Sequence, residues 1–177
     1  MLIGLRIIVL ALLAGATLAV GATAATAFPA MKALDPTLST FAAWPDPHWP
    51  IAAGDVANRL FRMLDVMSAV CVGLAAASML PRSARPGRTA SGIVSIIAVA
   101  GLIAIVATTW AWLRPTMHGH LETYWTAARA GDVERGRAAR DAFTLLHPTS
   151  SRLLTAQLIL ALIGAACTRP AAPAVAQ

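Results

Sequence analysis

The sequence predicts an all-α fold: a polytopic membrane four-helix bundle with a short extramembrane helical hairpin between its third and fourth spans. Three observations carry this. Hydrophobic residues make up 58% of the 177 residues and charged residues only 12%, about half the charged share of a soluble protein, too little to cover a surface facing water. Uncharged apolar runs long enough to cross a ~30 Å hydrocarbon layer at about 1.5 Å per residue recur along the chain. Thirteen Arg and one Lys stand against eight acids, for a net charge of +6. They lie mostly between those runs, where basic side chains set topology and meet anionic headgroups. A nucleic-acid module would group its basic residues on a soluble face, so the lipid bilayer, and no nucleic acid, is the expected partner.

The first span covers residues 7–28. Ala11, Gly15, Ala19, Thr23 and Ala27 recur every fourth residue along it, a small-residue stripe suited to close helix packing in lipid. A competing reading makes the same stretch a secretory leader, with Arg6 as its basic region and Ala25-Thr26-Ala27 as its cleavage site. The apolar run exceeds the usual ~7–15 residues of such leaders. The second span, residues 54–80, has an uncharged part that starts only at Val66. Asp55, Asn58, Arg62 and Asp65 fall at spacings of three and four, a polar stripe on its entry half. Asp55 with Arg59 and Arg62 with Asp65 are spaced for intrahelical ion pairs, which lower the cost of inserting charge. Residues 90–113 form the third span, closed by the interfacial pair Trp110 and Trp112. The fourth covers residues 149–168, and the Ala- and Pro-rich tail 169–177 is expected to be disordered. Ala69-Gly73-Ala77 and Ala100-Ala104-Thr108 repeat the small-residue spacing.

Between the first two spans, Pro45, Pro47 and Pro50 with Trp44 and Trp49 predict a stiff extended loop. Residues 81–88 hold Arg82, Arg85 and Arg88 close to two membrane ends. That density puts the connection, and with it both termini, on the cytoplasmic side of the membrane. The longer connection to the last span carries five arginines and votes the other way. Within it, residues 121–130 and 133–146 read as helices separated by Gly131-Asp132, extending spans three and four as a small hairpin.

Few residues suggest chemistry. Cys71 and Cys167 lie in apolar stretches, where cysteine acts as a small hydrophobe. His118 and His120 would meet one metal ion only on an extended backbone, with a third ligand from His48, His147 or Glu122; on a helix they diverge. The plainer reading is interfacial polar side chains. His147, at the expected start of the fourth span with Pro148 in its first turn, reads as a helix cap, with haem ligation as the alternative. Asp65 is the most deeply placed acid, roughly 16 Å into the span if the helix starts at Gly54, and its expected partner is Arg62. Phosphate loops, nucleophile elbows and zinc-protease helices do not occur, so a non-enzymatic role without a cofactor leads.

Four stretches carry a family resemblance: Phe28-Pro29-Ala30-Met31; Gly54 with Leu60-Phe61; Trp112-Leu113-Arg114-Pro115-Thr116; and Phe143-Thr144-Leu145-Leu146-His147-Pro148-Thr149-Ser150-Ser151. In these the chain resembles uncharacterised bacterial four-helix membrane proteins related to the eukaryotic transmembrane protein 205, with Phe143, His147 and Ser150 matching the pattern before the last helix. Arg62 and Asp65 depart from it, where the family has aromatic residues or proline. The resemblance implies four crossings and a link to drug resistance and secretion rather than to a reaction. A likeness in architecture to copper-resistance and haem-handling membrane proteins is an analogy. The leading expectation is a transport-accessory or stress-resistance component that contacts itself or a membrane partner. The alternative is a haem- or metal-binding, redox-active protein using the histidines.

Overall fold

A computed structural model of the chain describes residues 2–80 and 90–168, and among these every long element is a helix and none is a strand. The elements are α1 (Leu2–Leu34), a short 3-10 turn (Ser39–Phe41), α2 (Trp49–Ala77), α3 (Ala90–Thr108), a π-helical turn (Thr109–Leu113), α4 (Arg114–Ala130) and α5 (Val133–Cys167). Four rods, Leu2–Leu34, Trp49–Ala77, Ala90–Ala130 and Val133–Cys167, are long and apolar enough to cross a membrane. The chain is thus a multi-pass integral membrane protein. The arginine-rich connection 81–88 and the tail 169–177 lie outside the described residues.

Each span runs past one expected end at a proline, α1 to Leu34, α2 from Trp49, the third rod to Ala130 and α5 from Val133, because prolines do not stop these helices, while α2 ends at Ala77 and α5 at Cys167. Pro29 and Pro148 sit inside α1 and α5, each removing one backbone donor that neighbouring helices and hydroxyls can offset in a membrane protein. Pro148 therefore does not open the fourth span, and His147 is mid-helix rather than a cap: α5 has already begun at Val133. Helix α2 starts at Trp49 instead of Gly54, because the His48 carbonyl accepts the N–H groups of Ile51 and Ala52 at 3.0 and 3.1 Å and Pro50 suits a first turn. At Pro115 the chain widens: the Arg114 N–H reaches the Thr109 carbonyl, an i to i+5 bond. The wider turn makes room for a ring that would press on the carbonyl four residues back. So α3 and α4 form one rod of 41 residues.

The α4–α5 turn follows the sequence reading. Gly131 takes φ 73°, the left-handed cap that glycine adopts without strain, and Asp132 N–H returns to the Ala127 carbonyl at 2.9 Å. Asp132 Oδ1 then accepts the Arg135 N–H at 3.1 Å and caps α5. Asp35 ends α1 at φ 40°, a left-handed conformation that aspartate tolerates better than most residues.

The packing forms two compact units. One comprises Met1–Leu18, Val66–Ala107 and Leu154–Gln177, the other Ala19–Asp65 and Thr108–Leu153. In the first, segments of α1, α2, α3 and α5 pack Leu10, Leu13, Cys71, Ala75, Leu102 and Ala161 into a four-helix core. Polar side chains cross-link it. Buried Arg6 donates to the Ser78 hydroxyl at 3.0 Å and to its carbonyl at 3.2 Å. Gln157 donates to Thr17 at 2.9 Å, and Ser95 and Thr168 share a hydrogen bond of 3.1 Å. The second unit centres on Phe41, Trp44, Ile51, Leu121, Tyr124 and Trp125.

The glycines at close contacts are not those of the repeating stripes. A Cβ on Gly164 would lie 3.0 Å from the Leu10 side chain and 3.5 Å from Ala98, and one on Gly101 would lie 2.8 Å from Leu160, whereas Gly15 and Gly73 have nothing within 4 Å. Gly164→Val is expected to cost about 1–3 kcal/mol by overpacking, and Gly15→Val less than about 0.5 kcal/mol, as read by thermal unfolding in detergent. Equal losses at the two positions would contradict this packing.

Candidate functional site

The polar stripe of α2 meets a partner that sequence spacing did not indicate. Asn58 and Asp65 are seven residues apart, two helical turns, and so share a face. Against that face stands Arg114, at the first position of α4. Its Nε donates to Asp65 Oδ2 at 2.6 Å, its second terminal nitrogen also bonds that oxygen, and the first reaches Asn58 Oδ1 at 3.3 Å. Side-chain exposures of 27% for Arg114 and 15% for Asp65 show the pair largely withdrawn from the surface. Arg62, the expected partner, is exposed. It loses to Arg114 because the π-turn sets where α4 begins, and hence where its first side chain points. The Asp55–Arg59 pair forms as its spacing implied, at 3.1 Å, but is mostly exposed and contributes little.

The fork of Arg114 holds one carboxylate oxygen by two N–H groups and a side-chain amide by a third. An arginine–carboxylate pair in a spanning helix is far cheaper than either charge alone. The arrangement can transmit a change at Asp65 to the π-turn through a single side chain.

The histidines do not assemble. His118 and His120 lie on continuous α4, so their rings diverge as a helix requires. His118 Nε2 stands 3.9 Å from Glu122 Oε1, one turn on, and His147 is exposed, packed edge-on against Phe143 at 5.4 Å. Ser150 follows one turn later, so Phe143, His147 and Ser150 form a stripe on α5. Among the described residues no group of three or more His, Cys, Asp or Glu is placed to hold a metal ion. His48 is committed elsewhere. Its Nδ1 accepts the Leu38 N–H at 2.9 Å, which requires a lone pair there. In the neutral ring the proton therefore sits on Nε2, 3.3 Å from the Trp44 carbonyl. Both ring nitrogens of His48 are thus used inside its own loop.

The loop of residues 35–48, read from sequence as extended, is instead strapped to the hairpin of α4 and α5. Trp44 is buried edge-on against Tyr124 at 5.6 Å, and a Cβ on Gly136 would lie 2.6 Å from its ring, so α5 needs glycine there. The Arg129 guanidinium covers the Phe41 ring at 5.2 Å. Asp46 accepts from Arg137 at 2.7 Å and lies 3.5 Å from Arg140. The hydrogen bond from Arg137 holds the Asp46 carboxyl below its ordinary range, the charges of Arg137 and Arg140 adding to it against the opposing effect of burial. Sequence reading missed this clasp, whose partners are 91 residues apart in the chain. Its signal was the run of Arg135, Arg137 and Arg140 on one connection and the acids Asp35 and Asp46 on the other.

Two outcomes follow. Removing one partner of the Asp65–Arg114 pair is expected to cost about 1–3 kcal/mol by leaving the other unpaired, and the double variant Asp65→Asn/Arg114→Gln should recover part of that loss in a double-mutant cycle. Additive losses would deny the pairing. Because the folded-state Asp46 carboxyl is lowered, its contribution is present above the ordinary carboxylate range and is lost as pH falls through the lowered value. Asp46→Asn should therefore lower the thermal midpoint at pH 7, and the difference from the parent should shrink in high salt and at low pH. No family model, curated protein or solved structure matches the chain.

Proposed function

We propose that the chain is a non-enzymatic protein of a bacterial inner membrane, a transport-accessory or stress-resistance component that works by contacting a second copy or another membrane protein. The observation that carries this is where the small-residue stripes fall. Ala11, Gly15, Ala19 and Thr23 on α1, Gly73 and Ala77 on α2, and Ala100, Ala104 and Thr108 on α3 are all exposed on the single chain. Small residues do not improve contact with lipid tails; they allow another helix to approach closely. The resemblance to relatives of transmembrane protein 205 points to the same class of role. Gly15→Leu and Gly73→Leu are expected to leave the thermal stability of the solubilised chain nearly unchanged and to abolish its crosslinking in native membranes. Crosslinking at parental levels in both variants would sink the reading.

Both termini are placed in the cytoplasm, with the loop of residues 35–48 and the α4–α5 turn on the other side. The arginines of residues 81–88 support this, and the clasp between that loop and that turn requires the two to share a side, whichever it is. With Cys71 and Cys167 replaced, impermeant thiol labelling of single cysteines introduced at the exposed Thr37 and Glu134 should succeed from outside the inner membrane. Labelling of both only after lysis would reverse the orientation.

A second reading rests on the Asp65–Arg114–Asn58 centre: passage of protons or a small solute, with oligomerisation supplying the remaining walls. It requires proteoliposomes of the parent to take up protons under an imposed potential and those of Asp65→Asn to fail. The haem- or metal-binding alternative has no assembled histidine set in its favour, and a visible spectrum with a Soret band lost in His147→Ala would be needed to revive it.

A further inference from the structure

His48 is where three parts of the outer loop are tied together. Its carbonyl accepts the N–H groups of Ile51 and Ala52 and so starts α2. Its Nδ1 accepts the N–H of Leu38, ten residues earlier, and its Nε2 faces the Trp44 carbonyl. Leu38 in turn accepts the Phe41 N–H, and Phe41 the Trp44 N–H, at 3.0 and 2.9 Å. The ring thus closes a circuit that begins at Leu38 and ends at His48, and Trp44, which seats the loop on α4 and α5, lies inside it.

This circuit admits only one protonation state. A backbone N–H can only donate, so Nδ1 must present a lone pair. An imidazolium has N–H groups on both nitrogens and would set a donor against the Leu38 donor at 2.9 Å. The loop itself bears Asp35 and Asp46, and Lys32 closes α1. Asp55 stands on α2; the charged side chains brought to the loop by the packed hairpin are Arg129 from α4 and Arg137 and Arg140 from α5. Asp46, the nearest acid in the chain, is already engaged by two of these arginines.

We propose that His48 is a proton-operated latch. With a neutral ring it closes the loop of residues 35–48 and keeps Trp44 against Tyr124; on protonation it breaks the Leu38 bond and releases the loop from the hairpin. Histidine is the side chain whose charge ordinarily changes between about pH 5 and 8, so the loop would respond to acidification of the compartment it faces. The inference does not depend on the transport reading or on which side of the membrane the loop lies.

Hydrogen exchange on the full-length protein in detergent, corrected for the intrinsic effect of pH on exchange, tests it at about pH 8 and about pH 5.5. In the parent, the peptide containing Leu38 should exchange roughly tenfold faster at the lower pH, the loss of one half-buried hydrogen bond, while peptides of α3 stay unchanged. His48→Asn keeps an acceptor near the Nδ1 position and cannot titrate in this range, so its Leu38 peptide should be slow at both pH values. His48→Ala should be fast at both. Independently of any variant, the ring nitrogen shifts of His48 should report the Nε2–H tautomer at high pH and titrate together with the exchange change. Equal exchange in the parent at both pH values, a parental response in His48→Asn, or a ring titration that does not coincide with loop release would each overturn the latch.

Discussion

Inside a bilayer, water satisfies no polar group, and that constraint organises the first unit. Hydroxyls on its spans return to their own helix: Thr17 to the Leu13 carbonyl at 2.8 Å, and Ser78 and Thr168 to the Ala75 and Gly164 carbonyls at 2.6 Å. The same three hydroxyls also join helices. Gln157 reaches Thr17, Arg6 reaches Ser78, and Ser95 meets Thr168. Such bonds are worth on average about 0.6 kcal/mol each in membrane proteins, so they choose among packings more than they hold the unit together. Cohesion comes from close contact at Gly164 and Gly101, where the absence of a side chain lets Leu10 and Leu160 approach.

The second unit uses different physics. Its core is aromatic, and edge-on ring contacts, a guanidinium over a ring and a two-arginine clasp on Asp46 fasten a loop that has almost no regular structure of its own. A loop so fastened keeps its proline-rich stiffness and gains a fixed position. His48, Trp44 and Asp46 each tie it at a different point.

Proline links local chemistry to the candidate site. At Pro29 and Pro148 the helix continues through the missing donor. At Pro115 it continues only by widening into a π-turn, and that turn sets the direction from which Arg114 approaches α2. The Asp65–Arg114 pair is therefore a consequence of a backbone adjustment one residue away. This also explains why the intrahelical partner, Arg62, was left on the surface.

Four helices, their order, the Gly131-Asp132 turn and the Asp55–Arg59 pair were legible in the sequence, because hydropathy, capping chemistry and i to i+4 spacing act over one or two helical turns. So was the divergence of His118 and His120 on a helix. The true helix ends, the partner of Asp65, the fastening of the loop of residues 35–48 and the hydrogen bonds of His48 were decided only by tertiary structure. Each depends on groups ten to ninety residues apart, or on a carbonyl whose availability only the fold reveals. The outward placement of the small-residue stripes belongs with them: a four-residue repeat says which residues share a face, but not whether that face turns to the core or away from it.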